Sequence, residues 1–395
     1  MIRILGKIPR SYYIFGIFIL LFCGLFTAVE LINHKLWTND FKVYYEAVND
    51  FFRGGNPYGK QYGLDTGYFK YPPFTLYLFS GYALVPYWAG QLIHLSILAA
   101  GLIISVPLLK DIVQRTFSVE LPKKQTWILY VTFLCVAIHL TREFHMGNVN
   151  LILLLCFVLG LNSMDRGDFR PAVFWSLMVI LKPIMILAFV PLAFYRKWKL
   201  IAYMAGFGTF FFIFPAVHIG WSGNMALWSD WFQSIAAHGE YIVSENSLTY
   251  LTNHYLGISS AWWPSVICLL LLVGIMCVEL YRNGADNHRL ITWTIIFTAF
   301  TPNFFVTDTE HFLLSIPLLV FLLYFLSNGA NKYYWIGFAI AAIPFSLNSN
   351  DLLGRDLSDY MDAQGALGIG NMFFIITVLF IRTKFAVGRM EKTLS

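Results

Sequence analysis

PAVFWSLMVILKPIMILAFVPLAF, residues 171–194, is an apolar run with a single charge, Lys182, followed at once by Pro183. The run is long enough to cross a bilayer, which takes about 20 apolar residues. A proline inside a helix removes a hydrogen bond and bends the axis. The stretch therefore reads as two half-helices that meet at Lys182 near the outer face. Irregular backbone at membrane depth is tolerated where it lines a cavity.

Similar runs lie on both sides. Upstream are Tyr12–Ile32, Pro72–Leu109 with room for two crossings, Trp127–Leu140 and Leu151–Met164. Downstream are Leu200–Ile219, Trp262–Leu280, Ile291–Val306, Phe312–Ser327, Tyr333–Leu347 and Ala366–Ile381. The pattern predicts an all-α polytopic membrane protein with roughly 11–13 transmembrane helices. Composition agrees: 58% of the 395 residues are hydrophobic, 12% are charged, and the mean hydropathy is +0.63. A soluble chain carries about 25% charged residues. The 27 basic and 22 acidic side chains, net +5, are scattered between apolar runs, which excludes a nucleic-acid-binding module. Cys23, Cys135, Cys156, Cys268 and Cys277 all sit in apolar stretches, so a disulfide scaffold is excluded too.

Three polar segments are too long for turns: residues 33–71, 220–261 and 348–362. We find no internal repeat, heptad or Gly/Ser linker. Residues 1–395 therefore read as one integral-membrane domain with these loops packed on its external side, where function is to be sought. Basic residues mark the cytoplasmic side. They precede a retained first helix (Arg3, Lys7, Arg10) and recur in the links Arg115–Lys124, Tyr195–Lys199 and Asn283–Arg289. The tail carries Arg382, Lys384, Arg389 and Lys392.

The first loop reads WTNDFKVYYEAVNDFFRGGNPYGKQYGLDTGYFKYPPF, residues 37–74. Asn39 is placed to cap a helix with Asp40 in its first turn. Val43, Ala47 and Phe51 form an apolar stripe suited to a helix lying on the membrane surface. Gly54-Gly55 ends that helix, and Tyr71-Pro72-Pro73 predicts a stiff extended re-entry. Asp40 then sits at the external mouth, either as a reactive group or as a plain complement to the helix dipole. Asp50 and Asp65 read as solvated or turn carboxylates.

Arg142-Glu143-Phe144-His145-Met146-Gly147-Asn148-Val149-Asn150 puts charges and amides between two apolar helices. Ionisable groups close to the bilayer core mark a pathway or site, unless the loop is interfacial with its charges in water. Asn148 and Asn150 both donate and accept, which suits a hydroxyl-rich ligand. Lys182 either snorkels, pairs with a carboxylate, or contacts a phosphate. Asp308, Glu310 and His311 crowd a helix entrance, as caps or with His311 aimed into the mouth. Trp221, Trp228 and Trp231 read as interfacial anchors by default. There is no phosphate-binding Gly loop, HExxH, GxSxG, CxxC or Asp-x-Asp motif, and no metal-ligand spacing. No cofactor is expected.

Several of these motifs together resemble glycosyltransferase family 87, integral-membrane transferases of the GT-C fold. They are Asp40 with Val43-Tyr44-Tyr45, Gly55-Asn56-Pro57-Tyr58 and Phe69-Lys70-Tyr71-Pro72-Pro73 in the first loop. Further on, Gly147-Asn148-Val149-Asn150 resembles Gly-Gln-x-Asn, Asn246-Ser247-Leu248 resembles Asn-Gln-Ser-Leu, and Pro302 to His311 resembles a Ser-Pro segment with a histidine before an apolar helix. Lys182-Pro183 also matches. The resemblance spans roughly residues 30–330 and implies a polyprenyl-phosphate sugar as donor, a hexose of the mannose type, and a lipid or glycan hydroxyl as acceptor. It places the catalytic aspartate on Asp40. Substrate contacts are expected at Tyr44, Asn56, Tyr58, Tyr71, Glu143, His145, Asn148, Asn150, Lys182, Asn246, Glu310 and His311. It also implies a multi-pass plasma-membrane protein of the cell envelope with its site on the external face.

That chemistry is coherent. A phosphate leaves without a general acid, whereas the acceptor hydroxyl must lose a proton as it attacks. One carboxylate suffices, unlike the pair a glycosidase needs. Lys182 and His311 would offset charge on the departing phosphate, and a single displacement inverts the anomeric carbon. The competing reading is a transporter or flippase of lipid-linked sugars, in which the broken helix lines a translocation path.

Overall fold

A computed structural model describes residues 9–64, 67–117, 125–238, 245–258, 262–304, 308–328 and 332–394. Arg3, Lys7, Asp65 and most of the Arg115–Lys124 link lie outside the described residues. In chain order the helices begin with α1 (Arg10–Ile32), α2 (Asn39–Phe52), α3 (Thr75–Leu78), α4 (Tyr87–Phe117), α5 (Trp127–Met146) and α6 (Asn150–Ser163). They continue with α7 (Phe169–Leu181), α8 (Val190–Phe194), α9 (Trp198–Ile213), α10 (Ala216–His238), α11 (Leu248–Leu256) and α12 (Trp263–Asn283). The last are α13 (Asn287–Phe304), α14 (Ile316–Ser327), α15 (Lys332–Ser346), α16 (Asn350–Leu353), α17 (Arg355–Ala363) and α18 (Ala366–Leu394). Among the described residues the only extended pairing is an isolated bridge between Gln61 and Tyr68.

Five helical stretches are long and apolar enough to cross a bilayer: α1, α4, α5, α12 and Thr309–Ser327, which ends in α14. Two bent pairs, α9 with α10 at 88° and α17 with α18 at 59°, bring the number to seven among the described residues. The protein is thus an all-α multi-pass membrane protein, with fewer full-length spans than apolar runs. The difference lies in helix length. The helices α6, α7 and α15 have 14, 13 and 15 residues. At 1.5 Å per residue they cover about 20 Å of a hydrocarbon core about 30 Å thick. The run Pro72–Leu109, with its room for two crossings, holds the one-turn α3, a 3-10 turn at Ser80–Leu84, and most of the long α4.

The chain forms two compact units. One comprises Met1–Leu108, Leu140–Ile186 and Arg196–Ile242; the other comprises Leu109–His139, Leu187–Tyr195 and Val243–Ser395. In the first, α7 packs between α6 and α9. Trp175 lies wholly buried across α6 and donates from its indole to the carbonyl of Phe157 at 3.1 Å. Gly160 makes room for it, since a Cβ there would fall inside the indole ring. In the second unit, α13 and α14 are interior helices: 83% of the apolar window in Thr309–Ser327 is buried, against 28% in α12. Asn371 of α18 ties these elements together. Its amide nitrogen donates to the Ala299 carbonyl at 2.8 Å and to Asn303 Oδ1 at 2.6 Å, and its oxygen accepts from Ser315 at 2.7 Å. A buried polar network of this kind is stabilising only when its members are satisfied.

Candidate active site

The helix α2 is clamped at its start by the backbone of Thr38, which takes a left-handed conformation (φ 38°). Its N–H donates to the carbonyl of His145 at 2.9 Å, and its hydroxyl accepts from Gln91 at 2.7 Å and lies 3.1 Å from the Tyr87 hydroxyl. Asn39, expected to cap the helix, is instead its first residue. Its side-chain oxygen accepts from the Leu64 N–H at 2.7 Å, fastening the following loop. The predicted apolar stripe is buried: Val43, Ala47 and Phe51 share that face with Phe41, Tyr44 and Val48. Asp40, in the first turn, remains half-exposed. The positive end of the α2 dipole favours its negative charge.

Beneath α2 lies the polar knot. The helix α5 ends at Met146, and Gly147 turns the chain with φ 66° while its N–H donates to the Glu143 carbonyl at 2.7 Å. Glycine is required twice over here. The left-handed backbone penalises any Cβ, and a Cβ would also sit 2.9 Å from that of Phe41. Asn148 Oδ1 accepts from the Val149 N–H at 2.8 Å and from the Tyr71 hydroxyl at 3.4 Å, and the Tyr71 and Tyr44 hydroxyls pair at 2.7 Å. Burial first, then Tyr71 and Asp40 nearby, push the Tyr44 phenol well above its ordinary pKa, so it stays a neutral hydroxyl.

Glu143 is fully buried. One oxygen accepts from Asn150 Nδ2 at 2.8 Å and the other from the Leu151 N–H at 3.1 Å, so a carboxylate of the preceding helix caps α6. Asn150 Oδ1 in turn accepts from Lys182 Nζ at 2.9 Å. Lys182 ends α7 in extended backbone (φ −140°, ψ 100°), as the following proline demands, and Pro183–Phe189 continues as a 3-10 turn. The break expected at Lys182-Pro183 is therefore real. Asp40 and Lys182 both act through space on Glu143. The first unit thus gathers Asp40, Tyr44, Tyr71, Glu143, Asn148, Asn150 and Lys182.

Three further expected residues serve the periphery of this cluster. Tyr58 is buried and donates to the Tyr71 carbonyl at 2.7 Å. Asn56 is exposed, accepts from the Tyr58 N–H at 3.0 Å, and donates to Asp230 at 2.7 Å. His145 pairs with Glu30 at 2.8 Å, its ring 5.3 Å from that of Trp37. In the second unit, Asn246 Oδ1 accepts from the Gly368 N–H at 3.0 Å, and the Asn246 carbonyl accepts from Asn303 at 3.1 Å. His311 and Asp308 form a capping box, with the Asp308 N–H donating to His311 Nδ1 at 3.2 Å. Asp308, the buried Glu310 and His311 each offer an atom within 4.8 Å of the others, a spacing compatible with a cation as well as with capping.

The model of glycosyltransferase family 87 matches residues 69–302, more than half of the chain. The chain belongs to glycosyltransferase family 87. No curated protein matches it. As a member of that family it is a membrane glycosyltransferase of the GT-C class. The matched span holds Tyr71, Glu143, His145, Asn148, Asn150, Lys182 and Asn246; Asp40 precedes it, and Glu310 and His311 follow it.

Around the same cluster of this family 87 chain pack residues that carry little signal in the sequence. His94 is fully buried, stacks on Phe41 at 5.1 Å, and bonds the knot backbone. Its only sequence signal is a histidine in an otherwise apolar run. Trp231, expected as an interfacial anchor, is mostly buried and donates from its indole to the Lys70 carbonyl at 2.9 Å. With Asp230 on Asn56, it pins the first loop to α10.

Proposed function

We propose that this glycosyltransferase moves a hexose of the mannose type from a polyprenyl-phosphate sugar to a hydroxyl of a lipid or glycan acceptor. The single observation that carries the reading is that the cluster of the first unit holds both a half-buried carboxylate, Asp40, at the start of α2 and an ammonium, Lys182, at a broken helix. Asp40 takes the proton from the acceptor hydroxyl while that oxygen bonds to the anomeric carbon. The bond from the anomeric carbon to the phosphate oxygen breaks, and its electron pair leaves on polyprenyl phosphate. Lys182 offsets that charge. One displacement inverts the anomeric centre, and no cofactor takes part.

Asp40 suits the base better than Glu143, because Glu143 is fully buried whereas Asp40 keeps some exposed surface. Tyr71 and Asn148 are hydroxyl and amide groups of the kind that read a sugar, whereas Asn150 is fully buried with both ends of its amide engaged. We place the reaction on the external face of the plasma membrane, by the positive-inside rule.

The test is transfer of labelled sugar by detergent-purified protein from a panel of polyprenyl-phosphate sugars to lipid-extract acceptors. Release of polyprenyl phosphate with an inverted product is expected. If Asp40→Asn turns over as fast as the parent, Asp40 is not the base.

A further inference from the structure

Three helix ends meet in the first unit: the end of α5, which carries Glu143, the start of α6 at Asn150, and the end of α7, followed by Lys182. The contacts between them run in one line, from carboxylate to amide to ammonium. Asn150 donates to Glu143 Oε2 at 2.8 Å and accepts from Lys182 Nζ at 2.9 Å. An ammonium only donates, and an ionised carboxylate only accepts. An asparagine side chain has one end of each kind, so it fits between them in one orientation alone. The Leu151 N–H on the other Glu143 oxygen, at 3.1 Å, holds the carboxylate as an acceptor on both sides. The helix dipoles agree: the start of α6 favours the anion and the end of α7 favours the cation.

We propose that Glu143 and Asn150 are positioning residues for Lys182: the buried carboxylate fixes the Asn150 amide, and its oxygen end aims the Lys182 ammonium at the donor phosphate. This rests on the reading of Lys182 as the phosphate contact. Glu143 has no exposed surface with which to meet a sugar, so its effect on the reaction is transmitted. A direct Glu143–Lys182 ion pair would neutralise the lysine at contact distance. The interposed amide orients it instead, by accepting from the ammonium without cancelling its charge.

Two measurements test the relay. The first is a double-mutant cycle on full-length protein, read as kcat and KM for the polyprenyl-phosphate sugar. Glu143→Gln and Asn150→Leu are expected to lower kcat/KM about 10- to 100-fold, the scale of a hydrogen bond to a charged group. In a Lys182→Met background the same changes should cost less than about twofold. Losses that multiply in full overturn the proposal. Melting in detergent identifies any variant that fails to fold, and the other variant then carries the cycle.

The second measurement uses no substrate. Lysines are reductively methylated with carbon-13, and the Lys182 signal is assigned by its loss in Lys182→Arg. A shift of that signal in both Glu143→Gln and Asn150→Leu supports the relay, and an unmoved signal overturns it. If the parent protein transfers no sugar from any polyprenyl phosphate, the proposed donor falls, while the Lys182 signal still decides the relay.

Discussion

His94 bridges two consecutive carbonyls of the polar knot: its Nε2 lies 2.9 Å from the oxygen of Gly147 and 3.1 Å from that of Asn148. Carbonyls only accept, so Nε2 carries the proton, and Nδ1 accepts from the Tyr82 hydroxyl at 2.9 Å. Replacing His94 by phenylalanine keeps a ring against Phe41 but leaves both carbonyls without this donor. A loss of about 1–3 kcal/mol is expected, read as a lower melting temperature in detergent. A variant that melts with the parent would show that the knot stands without this bridge.

Gly147→Ala tests the other side of the same turn. The new Cβ meets both the left-handed backbone and the Cβ of Phe41. Strain of about 1–3 kcal/mol is expected, together with a displaced Asp40, because Phe41 is its neighbour in α2. Activity should therefore fall more steeply than thermal stability alone accounts for, measured as residual transfer well below the melting temperature.

Asp40→Asn keeps the shape of the side chain and removes its basicity. Transfer should fall about 10²- to 10⁴-fold, the usual contribution of a general base, with donor KM little changed and the melting curve preserved. A large rise in KM with kcat intact would place Asp40 in binding instead.

Asp50 gives a pH-dependent contribution. Hydrogen bonds from Lys60 at 2.6 Å and Tyr62 at 2.7 Å hold its carboxylate below the ordinary range. A depressed folded-state value means the stabilisation is present above the unfolded carboxylate value, near pH 4, and is lost as pH falls through the folded value. Lys60 is half-exposed, so screening keeps the pair to about 0.2–1 kcal/mol. Lys60→Ala should lower the melting temperature slightly at neutral pH and not at all in strong acid, and added salt should shrink the difference.

Much of this was legible in the sequence. Uncharged runs revealed α1, α4 and α12, and the period of Val43, Ala47 and Phe51 revealed the buried face of α2. Lys182-Pro183 announced its break because proline acts locally. Breaks without such a signal were harder, since the apolar run Pro72–Leu109 does not show that it will divide into the one-turn α3, a 3-10 turn and most of the long α4. The relay was out of reach for a different reason. Glu143, Asn150 and Lys182 come from three helix ends, and only packing brings the lysine to the amide. His94 lacked any local signal that it would bond backbone rather than fill space.

Gly160 carries a consequence for the evolution of this fold. The indole of Trp175 occupies the place of its missing side chain, so Gly160 can gain a side chain only where residue 175 has become smaller. Across related chains Gly160 should vary as little as Asp40, although it touches no substrate. A ranking of residues by invariance would then confuse a packing constraint with chemistry, and a chain that has lost the tryptophan is where the glycine should be released.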